Sequence, residues 1–285
     1  RTDAIQERAT APSTVALSAP VHHHSRLADR KADEDADRVR GNEVGDERSR
    51  RDEQHPCEDR DEADPRAEGE PTAALAAEIA KRPPLRFAGL HVYHGPAQHL
   101  RGPAERAAAI DHAIDCAKIS RDAVLARGLD CERITGAGTG TFLIERDSGV
   151  YNEVQAGSYI FMDRDYADNR LAEADLQFEH ALFVRTTVMS RPLSSRAIVD
   201  AGLKASSVDS GMPVVWKRPD LRYIKASAEH GVIETPDKAS LSLGEALMLI
   251  PGHCDPTVNL YDELVCFRGD QVEAVWPIAA RGALL

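Results

Sequence analysis

The hydrophobic pattern of the chain becomes regular from about Pro71 onward. The run PTAALAAEIAKR predicts an alanine-rich helix. The run PLRFAGLHVYH then predicts a strand, because Leu90 and Val92 alternate with His91 and Tyr93 and would face the opposite side. A buried strand is therefore expected to end beside a cluster of histidines and a tyrosine.

A second helix and a second strand are predicted next. Apolar residues recur at three- and four-residue steps, namely Ala107, Ile110, Ile114, Ala117 and Val124. Gly128 is placed to end this helix. The run CERITGAGTGTF then predicts a strand that continues into a glycine-rich loop. A strand, a helix and a strand in this order form a βαβ unit with parallel strands and a right-handed crossover.

In a barrel built from such units, the reacting groups lie at the C-terminal ends of the strands. Tyr93 and His94 follow the first strand, and the loop at residues 136–141 follows the second. A third strand end is predicted at residues 157–163, after the run EVQAGSYIFMD. The fold class predicted for this region is therefore α/β.

The pattern changes after about residue 180. Five β-rich runs separated by turns follow: HALFVRTTVMSR, RAIVDAG, LRYIKASAEHGVIET, ALMLIPGHCD and DELVCFRGDQVEAVWPIA. No amphipathic helix lies between them. They predict a separate β domain of roughly one hundred residues, which is a common domain size.

Residues 1–68 are predicted to be disordered. More than half of residues 21–70 are Asp, Glu, Lys or Arg, and no aromatic residue precedes Phe87. Such a segment buries too little apolar surface to offset the entropy lost on ordering. The expected division is a segment at 1–68 that is disordered or unrelated to the rest of the chain, a partial barrel at 69–180 and a β domain at 181–285.

Charge and cysteine content exclude several classes of protein. The formal net charge is −12, and −7 of this lies in residues 1–70, so the remainder is only mildly acidic. An acidic surface argues against a nucleic-acid-binding protein. The five cysteines form no C-x-x-C pair, so a disulfide framework is not expected and a reducing cytoplasm fits. No apolar run reaches membrane-spanning length.

The run PGHCDPTVNLYD contains a candidate metal site. In an extended chain, His253 and Asp255 project to the same side and Cys254 points away. An imidazole beside a carboxylate suits Mn²⁺, Zn²⁺ or Mg²⁺. The same spacing also occurs where an aspartate caps a turn beside a surface histidine.

Two further runs carry groups that could bind or react. TGAGTGT offers backbone N–H groups and three hydroxyls, which suit a phosphate, although a flexible turn has the same composition. It lacks the lysine of a P-loop and the spacing of a dinucleotide fingerprint. In YHGPAQH, a histidine could act as acid or base, although a lone histidine is more often structural.

Together these segments resemble a known enzyme family. The strings GLHVYHGPAQHLR, TGAGTGTF, GVYNEVQAGSYIFMD, DAGLKASSVDSGMP and PGHCDPTVNLYD occur in the order typical of the D-threonine aldolase, 3-hydroxy-D-aspartate aldolase and D-serine dehydratase family. The similarity runs from about Gly69 to the end. It implies the C-terminal half of an alanine racemase-like (β/α)8 barrel of fold type III pyridoxal-phosphate enzymes, followed by a C-terminal β domain.

The resemblance implies roles for individual residues. His253 and Asp255 would be metal ligands, Tyr93 would contact the cofactor, and His99 would act with Tyr93 in catalysis as the acid or base. The residues around the cofactor phosphate would be Gly138, Thr139, Gly157, Ser158 and Tyr159. Dehydratase relatives use a cysteine ligand at a different spacing, so the His-x-Asp arrangement is similar to the aldolase branch.

The activity implied by the resemblance is that of a lyase. A pyridoxal-phosphate- and divalent-metal-dependent enzyme would cleave a D-β-hydroxy amino acid, such as D-threonine or 3-hydroxy-D-aspartate, to glycine and an aldehyde. The alternatives are dehydration of D-serine or 3-hydroxyaspartate, and an inactive fragment that lacks the Schiff-base lysine. The expected partner is a small-molecule substrate, with no nucleic acid or membrane, and the relatives imply a homodimer.

In this family, the lysine that bonds the cofactor lies on the first barrel strand, and residues 1–68 do not resemble that region. Lys31, the only lysine there, lies in the charged run LADRKADED. We hypothesise that residues 1–68 derive from a different reading frame or a wrongly chosen start, because the composition changes abruptly near Gly69. The nucleotide sequence tests this, and the hypothesis fails if no other upstream frame encodes a lysine-bearing strand.

Overall fold

The computed structural model of the chain describes residues 14–18, 65–172, 176–236, 241–279 and 281. These residues form two compact units. The smaller unit contains the described residues of 65–92 and 112–134, and the larger unit contains the rest. All candidate site residues predicted from the sequence belong to the larger unit.

The smaller unit is built around helix α1 (Pro65–Ala80) and strand β2 (Gly89–Val92). The helix begins before its predicted start at Pro71, because a proline is tolerated in the first turn, where Pro65 lies. Gly69 extends the contact between helices, since a Cβ there would lie 2.9 Å from the carbonyl oxygen of Ile119. The helix thus passes through Pro71 and packs closely against the next helix.

Helix α2 (Pro103–Ala126) and strand β3 (Arg133–Gly136) confirm the predicted second helix and second strand. Gly128 follows the helix with φ of +73°, and its N–H donates to the carbonyl of Leu125 at 2.9 Å. This left-handed conformation is one that glycine adopts without steric cost, so the predicted helix end is confirmed.

Strand β3 is the middle strand of a three-stranded sheet in the order β2–β3–β4. In the larger unit it pairs in parallel with β4 (Glu153–Val154), with Thr135 opposite Glu153. Short helical segments connect and follow these strands: the 3₁₀ helix Pro96–His99, α3 (Phe142–Asp147), the 3₁₀ helix Ser158–Ile160 and α4 (Arg164–Ala167). Strands β3 and β4 are thus a parallel pair, and the strand ends lead into the predicted site loops.

The rest of the larger unit is a nine-stranded sheet. Its strands are β1 (Thr14–Ser18), β5 (Leu182–Leu193), β6 (Arg196–Val199), β7 (Val214–Val215), β8 (Arg222–Ala226), β9 (Gly231–Glu234), β10 (Ala246–Ile250), β11 (Glu263–Arg268) and β12 (Gln271–Pro277). The order is β12–β11–β1–β5–β6–β9–β8, and β10 pairs with both β5 and β7. Only the β1–β5 pairing within it is parallel. Strands follow one another after residue 180 as predicted, while the domain limits at 69–180 and 181–285 stay a prediction.

Strand β5 supplies the centre of the hydrophobic core. Leu182 and Val184 are fully buried and pack in one cluster with Ile233 and Leu249 from neighbouring strands. A short helix, α5 (Cys254–Val258), separates β10 from β11; it contains Asp255, and His253 is its N-cap. The core therefore fixes strand β10, after which these two candidate metal ligands follow.

The predicted disorder of residues 1–68 falls mostly on residues outside the described ranges. Within those ranges, Thr14–Ser18 is a strand between β5 and β11, and helix α1 begins at Pro65. The run TVALS is the apolar, β-branched part of an otherwise polar segment, which suits a strand. The expectation of disorder is therefore wrong for these two pieces. Among the described helices, none combines the length and apolar character needed to cross a membrane.

We predict that Leu249→Ala lowers the free energy of unfolding by about 2–5 kcal/mol, because it leaves a cavity at a fully buried position of strand β10. Leu243→Ala is the matched control, since Leu243 is 66% exposed and its truncation should change stability by less than about 0.5 kcal/mol. Denaturant titration of both variants measures the difference. Equal losses in the two variants would contradict the core described for this sheet.

Candidate active site

The residues after strand β2 form a tight turn rather than an open loop. Tyr93 and His94 lead into the 3₁₀ helix Pro96–His99, and Nδ1 of His94 accepts the N–H of Ala97 at 3.1 Å. His94 is thus occupied in shaping the turn. This leaves His99, at the end of the same helical turn, as the histidine available for chemistry.

Gln98 joins this turn to the glycine-rich loop. Its side chain is fully buried and donates from Nε2 to Oγ1 of Thr141 at 2.8 Å and to the carbonyl of His94 at 3.3 Å. Its Oε1 accepts the N–H of Gly140 at 3.0 Å, and its carbonyl accepts from Nδ2 of Asn169 at 2.8 Å. Every polar atom of the side chain is therefore used in holding loops together.

The glycines of the loop are explained by this glutamine. A Cβ on Gly138 would lie 2.5 Å from Oε1 of Gln98, and one on Gly140 would lie 2.6 Å from its carbonyl oxygen. Both positions therefore require glycine because Gln98 packs against them. Gly157 differs, since a Cβ there would meet no atom within 4 Å, and it borders open space.

The two predicted phosphate-binding loops contact each other. Oγ1 of Thr139 accepts the N–H of Tyr159 at 3.0 Å, so this N–H is already used, while the Thr139 hydroxyl keeps its own proton for another acceptor. The Tyr159 ring packs against Phe178 with centroids 5.3 Å apart. Ser158 begins a helical turn, where the N–H has no partner within the turn, and its hydroxyl hydrogen-bonds the thiol of Cys254.

Glu145 is a buried carboxyl group beside this network. It is 1% exposed, and Oε1 accepts the hydroxyl of Thr141 at 2.9 Å. Burial raises its pKa, and Oε2 has no hydrogen-bond partner among the described residues. The charge of this group contributes to raising the pKa of Tyr93.

His99 is oriented by a buried carboxylate. Its Nδ1 lies 2.6 Å from Oδ2 of Asp165, whose side chain is 6% exposed, and Oδ1 of Asp165 is bound by Arg101. Arg101 also donates to Oδ1 of Asn169 at 2.8 Å, which fixes its position. A carboxylate on Nδ1 favours the tautomer with Nδ1–H and leaves Nε2 as the free acceptor. The chemistry expected of His99 is therefore possible at Nε2.

Tyr166 connects His99 with Tyr93. The Tyr166 and His99 rings lie 5.7 Å apart at 36°, and the Tyr166 hydroxyl hydrogen-bonds Tyr93. Burial, followed by the charge of Asp255, raises the pKa of Tyr93. Burial and the nearby charges, including those of Asp163 and Asp255, also raise the pKa of Tyr166, so both phenols keep their protons at neutral pH.

The candidate metal ligands converge. Nε2 of His253 lies 3.9 Å from Oδ2 of Asp255, while Nδ1 lies 2.7 Å from Oδ2 of Asp209. Burial lowers the pKa of His253, but hydrogen bonding and charge from Asp209, with the charge of Asp255, outweigh it and raise the pKa overall. A carboxylate that holds one imidazole nitrogen and leaves the other for a cation is the usual arrangement at metal-binding histidines.

The local structure that brings these ligands together differs from the prediction. Residues Cys254–Val258 form a short helix, with His253 as its N-cap at φ −140° and ψ 124°, whereas an extended chain was expected. His253 and Asp255 nevertheless lie on one side; Cys254 is fully buried, but its thiol donates to Oδ1 of Asp255 at 3.2 Å, whereas it was expected to point away. The approach of His253 to Asp255 therefore arises at a helix start and not from the alternation of a strand.

Sequence reasoning missed the residues that orient the histidines. Asp209 lies within the run DAGLKASSVDSGMP and Asp165 follows the run GVYNEVQAGSYIFMD, but each is distant in sequence from the histidine it binds. The sequence shows both residues as aspartates in or beside the motifs that carry the family resemblance. Only the tertiary structure pairs them.

Two further observations limit the site. Within the described ranges, no three His, Cys, Asp or Glu side chains converge as a metal-binding group, so His253 and Asp255 stand as a pair.

The described lysines lie outside the candidate site. Lys81 binds Glu78, Lys118 binds Asp115, Lys204 binds Glu229, Lys217 lies over the Trp216 ring and Lys225 is exposed on β8. Lys31 and Lys238 fall outside the described residues.

A family model described as a putative serine dehydratase domain matches residues 181–267. A 3-hydroxy-D-aspartate aldolase of Paracoccus denitrificans (strain Pd 1222) is 46% identical over 75% of this chain and 56% of its own length. The chain therefore spans about half the length of the curated relatives it matches.

Solved structures give the same picture. The crystal structure of D-threonine aldolase from Filomicrobium marinum matches with a TM-score of 0.74 and 46% identity, over 76% of this chain and 60% of that one. An alanine racemase-like protein from Idiomarina loihiensis matches with a TM-score of 0.58 and 23% identity, over 67% and 55% of the two chains. The second likeness concerns the fold alone, which is of the alanine racemase type.

We predict that Gln98→Leu lowers the free energy of unfolding by at least about 2 kcal/mol, because it leaves the Gly140 N–H and the Thr141 hydroxyl buried without Gln98. The matched control is Gln271→Leu on the exposed strand β12, which should change stability by less than about 0.5 kcal/mol. Denaturant titration measures both. A neutral Gln98→Leu would show that the loops do not depend on this side chain.

Proposed function

We propose a function from the premise that this chain, from about residue 69 to its end, belongs to the family of D-threonine aldolases, 3-hydroxy-D-aspartate aldolases and D-serine dehydratases. The chain carries the metal-binding and phosphate-binding part of a lyase that cleaves a D-β-hydroxy amino acid to glycine and an aldehyde. Pyridoxal phosphate and a divalent cation are its cofactors. The observation that carries the proposal is the approach of His253 to Asp255, with Asp209 on the other ring nitrogen, in the unit that also holds His99 and Tyr93.

The residues present fit a divalent cation. Asp209 occupies Nδ1 of His253, so Nε2 and the Asp255 carboxylate are the two atoms left to face an ion. Two protein ligands leave coordination positions for water and for a substrate oxygen, as Mn²⁺ and Mg²⁺ sites commonly have. Asp255 is 71% exposed, so an ion and a substrate could reach it from solvent.

The loops also fit the phosphate of pyridoxal phosphate. Gly157 borders open space, the Thr139 hydroxyl has a proton to donate, and Ser158 begins a helical turn with its N–H unused within that turn. Tyr159 would border the group through its ring, because its N–H already binds Thr139. None of the five described lysines lies in these loops, so the lysine that bonds the cofactor has no counterpart within the described residues.

When bound, the cofactor would withdraw electrons from the substrate α-carbon and the cation would acidify the substrate hydroxyl. The chain supplies the proton transfer and the orientation. Nε2 of His99 would accept the hydroxyl proton as the Cα–Cβ bond breaks, and Asp165 would stabilise the resulting imidazolium at Nδ1. Tyr166, packed on the His99 ring, and Tyr93 would bound this space with protonated hydroxyls.

The aldolase is favoured over the dehydratase by the metal pair. Cys254 is fully buried with its thiol on Asp255 and Ser158, and burial raises its pKa, so it is unsuited to act as an exposed thiolate ligand. The carboxylate of Asp255 takes that place. We also propose a homodimer, as the resemblance implies, and a cytoplasmic location, which is consistent with the free state of the four described cysteines.

Product analysis tests the activity. We expect the purified chain, supplied with pyridoxal phosphate and Mn²⁺, to release acetaldehyde and glycine from D-threonine and to leave L-threonine intact. His99→Gln should lower kcat by about 10²- to 10⁴-fold, because it removes the proton acceptor. Release of 2-oxobutanoate and ammonia instead would favour the dehydratase. Absence of both reactions would favour an inactive fragment, and borohydride reduction with peptide mapping would then report whether any lysine had bonded the cofactor.

We predict that His253→Gln raises the Kd for Mn²⁺ by at least about 100-fold, because one of two protein ligands loses its geometry. His112→Gln is the matched control, since His112 is an exposed histidine on helix α2. Electron paramagnetic resonance of free Mn²⁺ measures both affinities without requiring turnover. Equal Mn²⁺ affinity in wild type and His253→Gln would refute the metal site.

A further inference from the structure

Asp163 is the fully buried carboxylate at the junction of two site segments. Its side chain has 0% exposure. Oδ1 accepts the N–H of Tyr166 at 3.0 Å, and Oδ2 accepts the N–H of Cys254 at 2.9 Å. The two oxygens of one carboxylate thus bind backbone from helices α4 and α5, which begin 90 residues apart in sequence.

Backbone hydrogen bonds continue the same junction. The N–H of Arg164 donates to the carbonyl of Pro251 at 3.0 Å, and the N–H of Asp165 donates to the carbonyl of Gly252 at 3.2 Å. Residues 163–165 and 251–254 therefore lie side by side, and the Asp163 side chain adds a further hydrogen bond between them. The relative position of these two segments depends on each of these hydrogen bonds, because no ladder of sheet hydrogen bonds supports them.

The two segments carry different parts of the proposed chemistry. Residues 165–166 include the carboxylate that orients His99 and the tyrosine that packs on its ring. Residues 253–255 include both proposed metal ligands. The distance between the acid/base group and the cation is therefore set by how 163–166 and 251–255 are joined.

We propose that Asp163 is a positioning residue that holds the His99 group and the metal pair in one fixed arrangement. The proposal rests on the function proposed above and adds a residue to which the family resemblance assigns no role. Asp163 touches neither substrate nor cation; it acts through the backbone N–H groups at the starts of α4 and α5. Its negative charge also contributes to raising the pKa of His253 and of Tyr166.

Substitution of Asp163 by asparagine tests whether both oxygens of the carboxylate are needed. The amide has one acceptor oxygen, so Asp163→Asn can keep the bond to Tyr166 or to Cys254 while its NH₂ group faces the other N–H. Asp168→Asn is the matched control, because Asp168 ends the same helix and its side chain is 48% exposed. Both changes remove one negative charge from this short segment.

Two measurements on the full chain decide the proposal. In Asp163→Asn, we expect amide hydrogen exchange at Tyr166 or Cys254 to become at least about ten-fold faster. We expect the Kd for Mn²⁺, measured by electron paramagnetic resonance, to rise by about 10- to 100-fold, as when a group supporting a metal ligand is lost. Asp168→Asn should change neither, and its unfolding midpoint controls for a general loss of stability.

A second pair of variants keeps the test decisive if Asp163→Asn does not fold. Cys254→Pro removes the N–H that binds Oδ2 together with the thiol, at a first helical position where proline is tolerated, and Cys254→Ala removes the thiol alone and is its reference. We expect Cys254→Pro to bind Mn²⁺ more weakly than Cys254→Ala does.

Unchanged Mn²⁺ affinity in both Asp163→Asn and Cys254→Pro would overturn the positioning role. If the wild-type chain binds no Mn²⁺, the proposed function itself fails at its metal site. In that case unchanged amide exchange at both Tyr166 and Cys254 overturns the proposed junction as well, whereas faster exchange supports it independently of activity.

Discussion

Gln98 packs so closely against the glycine-rich loop that a methyl group on Gly138 would collide with its side chain and one on Gly140 with its backbone carbonyl. From that position it hydrogen-bonds the Gly140 N–H, the Thr141 hydroxyl and the turn at His94. Loops have no ladder of backbone hydrogen bonds, so buried side chains must satisfy their N–H and C=O groups. The glycine-rich loop and the histidine turn can therefore lie together only while this one amide is in place.

At both candidate reactive histidines, a side chain from a distant part of the chain also fixes the local geometry, with different consequences. Asp165 binds Nδ1 of His99, and Asp209 binds Nδ1 of His253. In each case a carboxylate fixes the ring and leaves Nε2 available. At His253 the free nitrogen faces Asp255, which suits a cation, whereas at His99 Asp165 is the one carboxylate that pairs with the ring among the described residues, and the free nitrogen suits a proton.

The site concentrates negative charge. Asp163 and Asp255 both contribute to raising the pKa values of nearby phenol, thiol and imidazole groups. Carboxylates that act on the same groups also repel one another unless a cation or a proton lies among them. A divalent ion at His253 and Asp255 would relieve that repulsion, so the electrostatics of the loops and the proposed metal site agree.

The sequence by itself determined much of the local structure and the identity of the family. Apolar spacing located α2, its end at Gly128 and the series of strands after residue 180, because helix and strand periods depend on near neighbours. The order of five motifs identified the family, and the His-x-Asp spacing brought forward His253 and Asp255. The prediction failed at the start of α1 and in the conformation at Cys254, where packing of distant segments outweighs local preference.

Only the tertiary structure decided which side chains act together. Gln98, Asp163, Asp165 and Asp209 each bind groups that are more than 40 residues away in the chain. Sequence periodicity reports which face of an element is buried, but a hydrogen bond between loops depends on how several elements pack. The sequence around a polar loop residue therefore does not indicate which distant residue it will bind in the folded protein.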